Sequence, residues 1–224
     1  MPRTYRLPRF VGAALLSLMA PLSAAGQTVG TGGACIPVSE RAGREFGCFI
    51  IATQAIGPLD SARAFWHLSI FPTRSTAMAA RGPRGAVVES LGKVWLFTIA
   101  EAGWRPSGGT HVAEIGPLPV AAGVAYTAQY MDAVFRPGMK SLVHRHSGPE
   151  AWYTLNGETC LETPAGSLVG RAGGMPVIVP QGPPMELTAT GTQVRRALVL
   201  VLHDATQPAT SPASDWSPKG LCKG

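Results

Sequence analysis

Gly138-Met-Lys-Ser-Leu-Val-His144-Arg-His146-Ser-Gly-Pro-Glu150-Ala-Trp-Tyr-Thr-Leu-Asn-Gly157 is the stretch of this 224-residue chain from which its fold is read. Successive side chains of a β-strand point to opposite faces, so His144 and His146, two apart, project from the same one. Ser147-Gly148-Pro149 reads as a tight turn, after which Glu150 opens a second strand and comes back beside the two imidazoles. Two imidazoles and one carboxylate on one side of a sheet make a donor set for a divalent transition metal. With coordination positions left open, it matches the two-His-one-carboxylate arrangement that iron oxygenases use. Trp152 and Thr154 share the parity of Glu150 and are candidates to line the same pocket, an inward Trp being as often core as ligand-stacking.

The surroundings of this stretch read as antiparallel β structure. Short apolar runs at 126–135, 142–146, 150–155, 158–162, 166–170, 176–179, 185–189 and 195–202 alternate with Gly and Pro turns, as in a sandwich or closed barrel. Residues 197–202 are apolar at every position, the pattern of a strand buried on both faces. Upstream, 46–53 and 65–71 read as strands, 73–81 as a short helix stopped by Gly82-Pro83, and 86–91 with 94–99 as a hairpin about Gly92-Lys93. Gly116, Pro117 and Pro119 break 112–120, which reads as an edge strand or a connection. The chain therefore divides into a leader (1–26), an N-terminal β-rich segment with one helix (27–122), a barrel (123–205) and a tail (206–224). The tail is rich in Pro, Ser and Thr and is expected to wrap the surface.

At the quoted residues the sequence resembles the cupin superfamily. The family's first motif, G-x5-H-x-H-x3-E-x6-G, is met at Gly138, His144, His146, Glu150 and Gly157. Its second, G-x5-P-x-G-x2-H-x3-N, is met at Gly174, Pro180 and Gly182, but Met185 stands in place of the third His and Ala189 in place of the Asn. The resemblance covers roughly residues 126–205 and implies a mainly β fold: an antiparallel jelly-roll barrel with its pocket inside. It implies a divalent metal (iron, manganese or similar) on His144, His146 and Glu150, and a small-molecule substrate or ligand. Cupins include dioxygenases, decarboxylases, isomerases and sugar-binding modules, so a metal-dependent enzyme and a non-catalytic binder both stand. Family members commonly pair through their sheets, which makes a homodimer the arrangement to look for. Met185 leaves three readings open. Its thioether joins the shell as a fourth position and favours copper, or the site keeps three ligands and an open position, or Met merely fills apolar volume.

The N-terminus reads as an export signal: Arg3, Arg6 and Arg9, then an apolar run over 10–22, then small residues Ser23-Ala24-Ala25-Gly26 for cleavage. Thirteen apolar residues are too few to span a bilayer core of roughly 30 Å as a helix, so no membrane anchor is expected after cleavage. The expected location is periplasmic or secreted. Losing three Arg lowers the formal charge from +6 to +3, and the remaining Lys and Arg are scattered, which gives nucleic acid no footprint. Four cysteines in an oxidising compartment allow three pairings. Cys35–Cys48 and Cys160–Cys222 is the favoured one, the first closing a short loop and the second tying the tail to the barrel. Among the other candidates, His203 reads as a strand-end surface residue and His67 as packed and hydrogen-bonded, while His111 has no partner in sequence. One of Arg195 and Arg196 is a candidate to meet an anionic substrate, but adjacent side chains point to opposite faces and solvation is the default.

Overall fold

A computed structural model describes residues 1–2, 34–59 and 64–223; the expected leader and its cleavage region lie outside the described residues. The first half holds β1 (Ile36–Pro37), β2 (Gly47–Pro58), β3 (Phe65–Phe71), α1 (Arg74–Ala80), β4 (Gly85–Ser90), β5 (Lys93–Ala100) and β6 (Thr110–Ile115). The second holds β7 (Ala125–Phe135), β8 (His144–His146), β9 (Glu150–Asn156), β10 (Glu158–Thr163), β11 (Gly166–Arg171), β12 (Val177–Val179), β13 (Glu186–Thr190), β14 (Arg195–Asp204) and β15 (Thr210–Pro212).

One layer has the order β1-β2-β7-β14-β9-β12. The facing layer is built from the sheet β11-β10-β13 and the pair β15-β8, joined by an isolated bridge between His144 and Met185. Counted from β7, the strands therefore run first-eighth-third-sixth in one layer and second-seventh-fourth-fifth in the other. That order is a jelly roll. The expected barrel is an open sandwich, with no ladder closing one layer onto the other among the described residues. At the layer edges, β12 and β15 have only three residues each, and β12 stops at Pro180.

The first half does two things. β2 pairs along ten positions with β7 and widens the first layer, while β3 to β6 form a separate antiparallel sheet of order β4-β5-β3-β6. Alternation then gives the widened layer two apolar faces. Ala128, Tyr130, Ala151, Leu198, Leu200 and Leu202 pack with Trp66, Leu68, Trp95 and Phe97 of the four-stranded sheet. Met131, Ala133, Trp152, Val199 and Val201 turn the other way and pack with Leu161, Met185 and Leu187 inside the jelly roll. β14 is thus buried on both faces, as its unbroken apolar run requires.

Local expectations hold with small shifts. Thr73 caps α1, its hydroxyl accepting from the Thr76 amide at 3.2 Å. The β4–β5 hairpin turns on Leu91-Gly92 instead of Gly92-Lys93: Ser90 pairs with Lys93, and both turn residues have positive φ (52° and 75°), the type I′ geometry that suits twisted strands. β6 is an edge strand, as the Gly and Pro residues after it suggested.

A buried carboxylate pins the layers. Asp132, on the β7 face turned toward the four-stranded sheet, accepts from Ser90 Oγ at 2.7 Å and from Arg41 Nη1 at 3.0 and 3.2 Å. Replacing it leaves a buried hydroxyl and a guanidinium without their acceptor. Asp132→Ala is expected to cost about 2 kcal/mol in urea unfolding, whereas Glu89→Ala, whose only ion pair among the described residues is an exposed 3.9 Å contact with Arg74, leaves the midpoint within experimental error.

Candidate functional site

His144 and His146 project from β8, which lies between β15 and the start of β13 in the second layer. Each ring is held by a backbone carbonyl: Nδ1 of His144 lies 2.7 Å from Leu142 O, and Nδ1 of His146 lies 2.8 Å from Ala209 O. A carbonyl can only accept, so the hydrogen-bond network assigns both protons to Nδ1 and leaves each Nε2 with a free lone pair. That is the tautomer a metal-binding or basic imidazole needs. The rings meet edge to face with centroids 4.8 Å apart.

Glu150 reaches this pair from the first position of β9, which lies between β14 and β12 in the opposite layer. A Cβ on Gly148 would sit 1.9 Å from Leu202 O, so only glycine lets the turn lie against β14 and bring Glu150 back. Glu150 Oε2 then stands 3.6 Å from His146 Nε2. Both atoms are buried and neither has a hydrogen-bond partner. Burial lowers the His146 pKa to about 4, outweighing the Ala209 carbonyl, so the ring is neutral at pH 7. Burial also holds His144 below the ordinary histidine value. It pushes Glu150 up, against the opposing pull of His144 and Arg195.

These residues wall a cavity of about 620 Å³ whose lining is mostly apolar, with Met131, Phe135, Leu161, Leu187 and Val199 among it. Trp152 and Thr154 share Glu150's face, as their parity requires, but correct the expectation that they line it. Trp152 Nε1 would meet a Cβ on Gly170 at 2.7 Å and Thr154 Oγ1 at 3.5 Å, so both are buried beside that glycine and away from the cavity wall. Met185 pairs with His144 through two backbone hydrogen bonds, and its wholly buried side chain packs in the interior apolar cluster without lining the cavity. Among the described residues no three His, Cys, Asp or Glu side chains stand together at metal-holding distance. The donor chemistry of the stranded pair nonetheless fits an ion. Two bonds of about 2.1 Å at a tetrahedral angle put their ligand atoms about 3.4 Å apart, close to the separation seen.

Two contributors to the site were not legible beforehand. The tail, expected on the surface, is instead a wall: β15 pairs with β8, Ala209 orients His146, and residues 209–214 line the cavity except Ser211. Arg195, expected to be solvated, is fully buried and lines the cavity, while Arg196 is exposed. A Pro/Ser/Thr-rich composition does not reveal a three-residue strand, and two adjacent Arg do not say which one faces inward. Of the remaining histidines, His67 is packed and bonded to Glu101 O at 2.9 Å, His111 lies near it with centroids 6.4 Å apart, and His203 is half-buried at its strand end.

The tail is fixed at its far end. Disulfides join Cys35 to Cys48 and Cys160 to Cys222, the favoured pairing, and the first lines the cavity. Beside the second, the buried Glu162 carboxylate accepts from the backbone amides of Lys219 and Leu221.

Eight strands in jelly-roll order, with the two His and the Glu of the first motif brought to one cavity, decide the fold. The fold is a jelly roll, the one that the resemblance to cupins implies. No family model matches the chain, and no curated protein does. Solved structures similar to it include a cupin-like protein from Thermotoga maritima, at 16% identity over 38% of this chain and 64% of that one, with a TM-score of 0.35. Recombinant oxalate oxidase in complex with glycolate is 19% identical over 38% of this chain and 45% of its own, with a TM-score of 0.33. A cupin superfamily protein from Desulfitobacterium hafniense is 15% identical over 39% and 74%, with a TM-score of 0.32. The chain thus spans less than two thirds of the first two.

The clamp on the tail has a pH signature. Burial alone raises the Glu162 pKa, but the backbone amides of Lys219, Leu221, Cys222 and Gly220 outweigh it and hold the group below its usual value. A depressed carboxylate contributes stability above its unfolded pKa and loses it as pH falls through the folded one. Glu162→Gln is therefore expected to lose about 2 kcal/mol at neutral pH. Its unfolding midpoint should also decline less steeply than the parent's when urea titrations are carried from pH 6 toward pH 2.

Proposed function

We propose that this cupin is an exported, metal-dependent enzyme acting on a small organic molecule, with His144, His146 and Glu150 as the ligands of a divalent transition ion. The observation that carries the reading is the pair of buried, unpartnered acceptors, His146 Nε2 and Glu150 Oε2, facing each other at 3.6 Å. Two lone pairs turned toward one another in an apolar enclosure repel and are desolvated at a cost, and a cation between them removes both penalties. Iron or manganese suits an imidazole-carboxylate set, and such an ion supplies Lewis-acid or oxygen-activating chemistry when bound. The chain's own contributions are specific. Leu142 O and Ala209 O fix both imidazoles with Nε2 inward, the β15 wall and the apolar lining limit water, and the cavity leaves room for a substrate beside the ligands. Met185 is no fourth donor in this reading and leaves a position open. The leader over 1–26 and the two disulfides support export to an oxidising compartment, where a pair of cupin sheets could also meet as a homodimer.

A second reading, a non-catalytic small-molecule binder, is favoured by one observation: burial raises the Glu150 pKa, and a protonated Glu150 would need no cation. It requires the Glu150–His146 separation to close to hydrogen-bond length.

Elemental analysis separates the two. Protein folded under oxidising conditions and purified without chelators is expected to carry near-stoichiometric iron or manganese. His144→Ala/His146→Ala is expected to carry none while keeping its far-ultraviolet circular dichroism. A parent that stays metal-free after reconstitution with several divalent ions overturns the enzyme reading. N-terminal sequencing of protein recovered from the export compartment is expected to begin just after Ala25 or Gly26.

A further inference from the structure

Arg195 is the least explained charge in the molecule. Its side chain is fully buried at the start of β14 and lines the same cavity as Glu150. Of its five N–H donors, one is used: Nε donates to Thr159 Oγ1 at 2.5 Å. Nη1 and Nη2 are buried with no partner, and the guanidinium carbon lies 5.4 Å from the centre of the Phe135 ring. Gly157, the last glycine of the first motif, makes room for this strand. A Cβ there would come within 2.9 Å of Arg195 Cα, and its φ of +70° is itself a glycine conformation.

A buried guanidinium with two idle amino groups is costly unless an anion meets it. Burial already lowers its pKa to about 10, and Glu150 only partly restores it. Glu150 is the only carboxylate lining the cavity, and it stands with His146 while sharing no ion pair with Arg195 among the described residues. β14 shows why. Val201 is the residue paired with Glu150, and Arg195 is six positions further along the strand, which at about 3.3 Å per residue separates the two backbones by roughly 20 Å. The cavity is therefore lined by a carboxylate beside an imidazole and by a guanidinium without an ion partner among the described residues, and the rest of its lining is mostly apolar.

We propose that Arg195 anchors the carboxylate of a small organic acid whose apolar body lies along Phe135, Leu161, Leu187 and Val199 and whose other end reaches His144, His146 and Glu150. This rests on the reading of those three residues as the reactive end, but the anchor itself needs no metal. A planar guanidinium with two free, parallel N–H groups matches a carboxylate in a two-bond fork. A phosphate dianion would ask for more donors than one arginine supplies, and a neutral ligand would leave the guanidinium uncompensated.

The test is calorimetric titration with the straight-chain acids from acetate to octanoate and with benzoate, each beside its neutral amide, on both chelator-treated and metal-supplied protein. At least one acid is expected to bind about tenfold or more tightly than its amide. Arg195→Met removes that preference, and Arg195→Lys retains part of it. Glu150→Gln in chelator-treated protein tightens the acid by removing a like charge from the cavity, a response that a site elsewhere on the surface would not show. If no acid in the series beats its amide in the parent, or if the preference survives Arg195→Met, the anchor is overturned. Should Arg195→Met fail to fold, the parent's acid-to-amide ratio and the Arg195→Lys variant decide. Acid preference in a protein that never takes up metal would sustain the anchor while removing the metal reading. Metal uptake without acid preference would do the reverse.

Discussion

Residues 197–202 carry no polar side chain because β14 touches two cores at once. Its even-numbered residues press against the tryptophans and phenylalanine of the four-stranded sheet, and its odd-numbered ones face the cavity. Everything else follows from that double burial. The jelly roll cannot expose the outer face of its first layer without uncovering Tyr130, Leu198, Leu200 and Leu202, so the first half of the chain is obliged to supply a cover. It does so with a sheet of its own, stitched to the layer through Asp132. The same alternation that sends Leu198 outward sends Val199 and Arg195 inward, so the cover sheet and the contents of the cavity are set by one register.

The site is held by backbone more than by side chains. Leu142 O and Ala209 O choose the tautomers of both imidazoles, and Gly148 sets how closely the turn before Glu150 approaches β14. Ala209 belongs to the tail, which is tied down by the Cys160–Cys222 bridge and by Glu162. A disulfide closing a loop of this length contributes about 4 kcal/mol in the chain-entropy picture, and here it also restrains the segment that orients a histidine. Stability of the tail and preorganisation of the site are therefore one property.

What the sequence showed clearly were features set by local period. The two-residue step from His144 to His146, the turn before Glu150, the unbroken apolar run of β14 and the short helix before Gly82-Pro83 each depend on neighbours in the chain, and each is found where it was read. What it hid were features set by partners far away. Nothing near Thr210 says that it will pair with His146, because a strand of three residues has no period to detect. Thr154 and Trp152 have the right parity for the pocket, but parity gives the face and not the distance along it, and the space beside them is filled by packing around Gly170. Arg195 and Arg196 differ only in which face β14 turns inward. That sign is set by register against β7 and β9, which no pattern within the strand records. Between the sandwich and the closed barrel that the strand spacing left open, the jelly roll takes the form of an open sandwich, a choice made by pairing between layers that no single strand records.

Charge balance inside the cavity ties these elements together. An apolar enclosure tolerates ions only as compensated sets, and this one is built with one fixed cation and one fixed carboxylate held apart along its length. Alone, they attract weakly across the apolar gap, which the opposing pKa influences of Glu150 and Arg195 express. In the proposed reading, a divalent cation on His144, His146 and Glu150 would more than neutralise Glu150 and leave the cavity with an excess of positive charge, part of it on Arg195. An anion entering that space would then meet attraction from both. Binding of the ion and binding of an acidic ligand would thus favour each other through the field of the cavity, without any change in the position of the sheets.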